Sequence, residues 1–316
     1  MKTTKLTVAL AGLMIASSVI VSTSCKKKDT TTPTTAQDTN GSTASDNTQA
    51  EQHSNDAESI GSEAVDNGSI STYKLEGNNT GSLLSPMSGS VTVTGFGTGT
   101  VTVTFSSGYV GMDGKARNGT LIYTMSPATA HYRDNGMTMA VATTTTNPYS
   151  VETNTITIAK TVTNNGFVAA GSNMQWTITS NVTIAKASGG TFTWNANRTH
   201  VLLNTNANST YNGAPVTTAY NGTSTPITWS AAIIQINGTA NGTSADGVSY
   251  NVTTTNVVRN MNCAPDPNRL HFHPFVAGTV DFMPAGKTPR IINYGTGNCD
   301  MTYTISIGSW SETVSW

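Results

Sequence analysis

The chain has 316 residues, and its 16 lysines and arginines nearly balance its 17 aspartates and glutamates. Charged residues make up only 10% of the sequence, against about 25% in an ordinary globular protein, and they form no basic stripe of the kind that follows a nucleic-acid backbone. This composition argues against nucleic acid as a partner and indicates a protein kept in solution by hydroxyl and amide side chains.

The first 24 residues have the pattern of a lipoprotein signal peptide. Lys2 and Lys5 form a positively charged start, residues 6–21 are mostly apolar, and small residues lead to Cys25. The apolar run is shorter than the roughly 20 residues that a membrane-spanning helix needs. We therefore expect Cys25 to become the first residue of the mature chain and to carry a lipid that anchors it to a membrane. The alternative is a plain secretory leader with a cysteine nearby.

The residues around this cleavage site carry a family resemblance. Three lysines at residues 26–28 follow Cys25, and in this the sequence resembles lipoproteins of Bacteroidota. It departs from their usual lipidation motif by having Ser22 in the place of Leu and Ser24 in the place of Gly or Ala. The resemblance implies an outer-membrane protein that faces either the periplasm or the cell surface, with several acyl chains that make the anchor stable.

Residues 25–73 are expected to form the lipidated start and a disordered tether. From residue 29 onward this segment is rich in Thr, Ser, Asn and Gln, and it has too few large apolar residues to offset the entropy cost of ordering. Residues 29–73 hold eight acidic residues and no lysine or arginine, so they should repel one another and stay extended. Residues 29–31 resemble an O-glycosylation triplet of the same bacteria, with a chance match in a Thr-rich linker as the alternative.

The rest of the chain predicts strands. From residue 88 onward apolar residues alternate with Thr or Ser at period two, as in Val101, Val103 and Phe105. Helical periodicity is not evident after the leader. We predict an all-β fold, an antiparallel sandwich-like or extended meander. Pairs that tolerate tight turns stand at Asp113-Gly114, Asn118-Gly119, Asn135-Gly136, Asn165-Gly166, Gly189-Gly190, Asn212-Gly213, Asn237-Gly238 and Asp246-Gly247.

This body divides into residues 74–203 and 204–316 at a softer patch, residues 204–225, with one continuous β domain as the open alternative. It holds 11 basic and 9 acidic residues, so we expect it to be nearly neutral. Its motifs at residues 113–119, 161–166, 193–199 and 294–300 resemble those of uncharacterised β-rich lipoproteins of Bacteroidota. The resemblance implies no activity that can be carried over.

Two cysteines remain once Cys25 is assigned to the lipid. Cys263 and Cys299 form an even pair in an exported protein, which predicts a disulfide. The alternative is a thiol nucleophile near His271 or His273.

The densest group of candidate metal ligands consists of Asp266, His271, His273 and Asp281. The two histidines would share one face of a strand, as a metal pair requires. No third ligand stands at a diagnostic spacing, and the prolines nearby suggest a rigid loop instead. We therefore assign no metal and no cofactor.

A binding surface is the remaining candidate site. Trp176, Trp194 and Trp229 are in phase with apolar strand positions and are expected in the core. Trp310 is out of phase with Ile307, so we expect either a bulge that returns its ring to the core or a solvent-facing ring. If the ring faces the solvent, Trp310 together with Tyr109 or Tyr294 would form a binding surface for a glycan or protein partner.

No motif of a nucleophile elbow, a zinc protease or a phosphate-binding loop is present. The leading hypothesis is a non-catalytic cell-envelope lipoprotein with a structural or binding role. One alternative is a carbohydrate-active or other hydrolytic enzyme that uses Asp246, Asp281 or Asp300. Another is a subunit of a surface fibre that exchanges its last strand, residues 302–316, with a neighbour.

Overall fold

A computed structural model describes residues 41–66, 83–169, 172–205, 209–220, 222, 227–228, 231–263, 275–300 and 302–315. The predicted leader, the lipidation site at Cys25, Trp229 and three candidate metal ligands, Asp266, His271 and His273, lie outside these residues. Among the described residues no helix is both long enough and apolar enough to cross a membrane.

The described chain contains one helix, α1 (Ser42–Asp66), followed only by strands. The strands are β1 (Pro86–Ser88), β2 (Val91–Thr94), β3 (Thr100–Gly111), β4 (Ala116–Ser126), β5 (Thr138–Thr143), β6 (Ser150–Val151), β7 (Asn154–Phe167), β8 (Met174–Ala185), β9 (Thr191–Leu202), β10 (Thr210–Tyr211), β11 (Ala214–Pro215), β12 (Ile233–Thr243), β13 (Ser249–Asn260), β14 (Phe275–Pro284), β15 (Arg290–Thr296), β16 (Thr302–Ile307) and β17 (Trp310–Ser315). The predicted all-β class is confirmed.

Fifteen of these strands form one antiparallel sheet in the order β1-β3-β4-β5-β7-β8-β9-β12-β13-β14-β15-β16-β17, with β2 beside β3 and β6 beside β4 and β7. Strands β10 and β11 form a separate hairpin between β9 and β12. Because β9 pairs with β12 over residues 193–202, the sheet runs without interruption through both of the regions that the sequence divides at residues 204–225.

Helix α1 occupies part of the segment that the sequence assigns to a disordered tether, and that prediction is wrong for residues 42–66. Between residues 43 and 65 only Ser45, Gln49 and Gln52 are partly exposed, and every other side chain is buried. Ala50, Ala57, Ile60 and Ala64 recur at helical spacing, but most of the other residues are polar. A helix of this composition is not stable alone, so its order comes from packing inside the sheet.

Strands far apart in the sheet all contact this one helix. Trp194 on β9 donates from Nε1 to Asn47 at 3.0 Å. The hydroxyls of Tyr294 on β15 and Thr48 lie 3.2 Å apart. Tyr123 on β4 donates to a helix carbonyl at 2.8 Å. Since β4, β9 and β15 span most of the strand order, the sheet curves around α1 and places the hydrophobic core between them.

One close approach fixes the position of the helix against the sheet. A Cβ on Gly61 would overlap the ring of Tyr123, which is fully buried. Glycine usually weakens a helix interior, but here it provides the space that the aromatic ring fills.

The predicted pair of cysteines is brought together. The Sγ atoms of Cys263 and Cys299 are 2.07 Å apart, at disulfide distance, with their Cα atoms 5.4 Å apart. Cys263 is buried in a small satellite cluster with Ile233, Val258 and Val276.

Three of the predicted turns lie inside strands instead. Asn118-Gly119 belongs to β4, where a Cβ on Gly119 would overlap the carbonyl of Pro148. Asn165-Gly166 and Asn237-Gly238 mark irregular registers in β7 and β12. In these places the positive φ that glycine allows serves a close backbone approach or a bulge rather than a hairpin.

Candidate functional site

The binding surface predicted from Trp310, Tyr109 and Tyr294 is not formed. Tyr109 and Tyr294 are buried, at 0% and 1% exposure. Tyr109 donates from its hydroxyl to the carbonyl of Leu83 at 2.8 Å. Both tyrosines follow the inward phase of their strands, β3 and β15, so their rings pack in the core and offer nothing to a ligand.

Trp310 is partly buried and packs against the core. The region predicted as one last strand is a hairpin, because Gly308 (φ 59°) and Ser309 form a turn between β16 and β17. Ile307 and Trp310 pair directly across that turn, so both side chains share one face. The phase break in the sequence is therefore a change of strand, and neither a bulge nor a solvent-facing ring is needed.

Two of the carboxylates considered for a hydrolase, Asp246 and Asp300, do not converge. Asp246 lies in the turn before β13, near Pro284 of β14, whereas Asp300 follows β15 beyond the Thr296 pair with Ala277. The seven residue steps from Ala277 to Pro284 span about 23 Å of strand. The two carboxyl groups of a glycosidase stand about 5–10 Å apart, so Asp246 and Asp300 cannot serve one bond.

Asp281, the one candidate metal ligand that the structure describes, is partly exposed on β14. Among the described residues no three His, Cys, Asp or Glu side chains are grouped as a metal site requires.

The charged groups are instead concentrated around α1, which the sequence analysis did not anticipate. Asp56 is held by Lys115 at 3.1 Å and by Arg259 at 2.5 Å, with Arg117 at 3.7 Å. Arg117 also pairs with Asp113. Burial alone would raise the pKa of Asp56, but the three cations hold it well below its usual range. Asp56 is therefore ionised, and its carboxylate is paired with these cations.

Glu58, half a turn further along the helix, faces another part of the sheet. Lys160 on β7 approaches it at 2.5 Å, His200 on β9 lies 3.3 Å away, and the Tyr132 hydroxyl donates to it at 2.5 Å. Burial would raise the pKa of Glu58, and the Lys160 ammonium and His200 outweigh burial and lower it.

Two more acids of α1 have partners nearer its start. Arg198 on β9 holds Glu51 through both ends of its guanidinium, at 2.8 and 3.1 Å. Lys186 pairs with Asp46, whose pKa is raised by burial in spite of that pair. The acids predicted to repel one another in a tether thus neutralise the inward-facing cations of the body.

His53 is the exception in this interior. Neither ring nitrogen has a hydrogen-bond partner among the described residues, and burial lowers the pKa of the imidazole to about 3. A neutral imidazole without partners contributes packing and no chemistry.

A sequence signal for this arrangement exists. Lys160 is in phase with Ile158 and Val162 on β7, and Arg198 is in phase with Trp194 on β9. A cation at an apolar strand position has to be buried, and a buried cation needs an acid beside it. The body has more basic than acidic residues, and residues 29–73 are acidic. Together these two features indicated that acids of residues 29–73 pair with the buried cations of the body.

The outer face of the same strands has a different composition. Asn181 on β8 pairs with Asn195 on β9, which pairs with Asn241 on β12, which pairs with Asn251 on β13. We call these four residues the amide row. All four are exposed, and their side chains make no hydrogen bond with the described chain.

The amide row lies in a shallow cavity of about 380 Å³, here called the outer groove. Hydroxyl, amide and small side chains line it: Thr179, Ser180, Asn181, Asn195, Ala196, Asn197, Thr239, Ala240, Asn241, Asn251, Val252 and Thr253. A second cavity of about 330 Å³ adjoins it and shares Asn195, Asn241 and Asn251. No titratable side chain lines the outer groove.

The helix explains why the sheet is indented there. The inward positions at this level on β8, β9 and β12 are Ser180, Ala196 and Ala240, which are small, and the inward position on β13 is Val252. The Ser180 hydroxyl lies 3.0 Å from that of Ser54 on α1, so the sheet approaches the helix closely. Small inner side chains thus produce a depression on the outer face.

Comparison with protein-family models, with curated proteins and with solved structures finds no match for this chain, so the groove and the ionic interior are interpreted from their own geometry.

Proposed function

We propose that this chain is a non-catalytic lipoprotein of the cell envelope, anchored in the outer membrane through Cys25, whose β body acts by binding. The anchor rests on the sequence pattern of residues 1–28. The binding role rests on the geometry of the body.

One observation carries the binding role: the buried acids of α1 are paired with cations, and the outer groove has no charged side chain. The buried carboxylates of α1 are paired with cations of the sheet, so they are not available as general acids or bases. The outer groove offers hydrogen-bond donors and acceptors but no group that titrates near neutral pH. Such a surface can hold a ligand, and it has no side chain that would transfer a proton to it.

Two measurements test the proposal. The mature chain should partition into a detergent phase, carry a fatty-acid mass increment and lose both properties in Cys25→Ala. It should also bind to envelope fragments from its own cells without releasing soluble products. Partition into water by the unaltered chain would refute the anchor, and time-dependent release of fragments would refute the non-catalytic role.

The fibre hypothesis has a specific structural counterpart. Among the described strands, β17 pairs only with β16 and lies at an edge of the sheet, and most of its side chains are exposed. An edge strand can accept or exchange a partner strand. Deletion of residues 310–316 separates this hypothesis from the main proposal: loss of oligomers after the deletion favours strand exchange, and an unchanged monomer excludes it.

A further inference from the structure

The amide row is not a by-product of strand formation. Threonine is favoured in strands, so the threonines of the outer face need no other explanation. Asparagine is disfavoured in strands, yet four asparagines stand in register on four adjacent strands. The four asparagines, with their low propensity for strands, lie at the level where the outer face of the sheet is indented.

The row offers free hydrogen-bonding groups at a regular spacing. Each amide has two N–H donors and one oxygen acceptor, and none of these is used by the described chain. Neighbouring strands are about 4.8 Å apart, so the row extends over roughly 14 Å across the strands. A ligand lying along it can contact four amides in succession, and the adjoining cavity lengthens the path.

The lining restricts the chemistry of that ligand. No charged side chain is present in the outer groove to recognise an acidic or basic group. Protein partners are usually anchored by buried aromatic or Arg side chains, and the groove has neither. Amides and hydroxyls both donate and accept, and this matches a ligand made of hydroxyl groups. In the adjoining cavity, exposed Met283 supplies an apolar contact for C–H groups.

We propose that the outer groove binds a neutral polysaccharide across the amide row. This inference rests on the proposed binding role and specifies its ligand class. The sugar hydroxyls occupy the amide donors and acceptors, and the chain of sugars runs across β8, β9, β12 and β13.

The test is depletion of the mature chain, purified in detergent, by beads that carry a neutral glucan, a mannan or a galactan, with polygalacturonate as the anionic comparison. At least one neutral polymer should retain the chain more strongly than polygalacturonate does. Asn195→Ala and Asn241→Ala should each weaken that retention about fivefold, the equivalent of one lost hydrogen bond.

Asn118→Ala is the matched control, because Asn118 is also an exposed strand asparagine but lies on β4, outside the groove. It should bind as the unaltered chain does. Circular dichroism and thermal unfolding of all three variants verify that the sheet is intact, since each change is on the surface.

Retention by no neutral polymer, or equal retention of the row variants and the control, would overturn the inference. If the chain still binds envelope fragments in that case, and the row variants bind them equally, the proposed binding role stands with another ligand. If it binds neither beads nor fragments, the binding role fails as well.

Discussion

Replacing Asp56 by asparagine tests whether α1 is held inside the sheet by charge. Asp56 is 3% exposed and accepts from Lys115 and Arg259 at 3.1 and 2.5 Å, with Arg117 close by. Asparagine has almost the same shape but no charge, so these cations would lose their shared carboxylate without any change in volume. Removing one partner of a buried ion pair costs about 3–5 kcal/mol because the other charge stays buried.

The assay is urea unfolding followed by tryptophan fluorescence, for which buried Trp176 and Trp194 are internal reporters. With a dependence of about 3 kcal/mol per M of urea, the midpoint of Asp56→Asn should fall by roughly 1–1.7 M. Asp246→Asn is the control, because Asp246 is exposed in a turn and Asn-Gly suits that turn as well as Asp-Gly. The control should stay within about 0.5 kcal/mol of the unaltered chain.

A second variant distinguishes charge from packing. Arg259→Met in the Asp56→Asn background removes one of the cations left without the carboxylate, so the double variant should be less destabilised than the sum of the two single changes. If Asp56→Asn unfolds at the same urea concentration as Asp246→Asn, the carboxylate is not in the interior and the account of α1 is wrong.

The interior gives three more predictions. Gly61→Ala should lower the melting temperature, although alanine is the better helix former by about 1 kcal/mol, because its Cβ would overlap the ring of Tyr123; a raised melting temperature would contradict the position of α1. The pKa of His53 is lowered from 6.5 to about 3, so the unfolded chain binds a proton that the folded chain does not, and stability falls as the pH decreases through that interval. In His53→Leu this fall in the free energy of unfolding should disappear from urea titrations between about pH 7 and 5, a range above that in which the carboxylates titrate. An unchanged dependence of the free energy of unfolding on pH would show that another group titrates. Changing Cys263 and Cys299 to serine should cost about 4 kcal/mol by the chain-entropy model, measured by the same titration, and a loss below about 1 kcal/mol would mean that the loop needs no covalent closure.

The period-two pattern was sufficient to predict the strands. Val101, Val103 and Phe105 alternate with threonine, and all three are buried on β3 as expected. This works because strand periodicity is local: the alternation of residues along one strand identifies its buried face, whatever the neighbouring strands are.

The helix was missed because its order is not local. Residues 42–66 contain too little apolar surface to predict any packed element by themselves, and the spacing of Ala50, Ala57, Ile60 and Ala64 is a weak signal among polar residues. What stabilises α1 is the set of cations on strands more than fifty residues away, such as Arg117 and Arg198. The binding surface was misplaced for a different reason, because Tyr109 and Tyr294 follow the inward phase of β3 and β15, and the period-two pattern was not applied to them.

The ionic interior also bears on how one sequence selects one sheet register. A strand shifted by one residue would turn Lys160 and Arg198 to the solvent and their neighbouring threonines and asparagines to the core. The shifted strands would lose apolar burial, and Glu51 and Glu58 would be left in the interior without their partners, each at a cost of several kcal/mol. The acids of α1 thus penalise wrong registers more strongly than apolar packing alone does. The same register sets the amide row in line on the outer face, so the alignment of the exposed groove depends on charges buried beneath it.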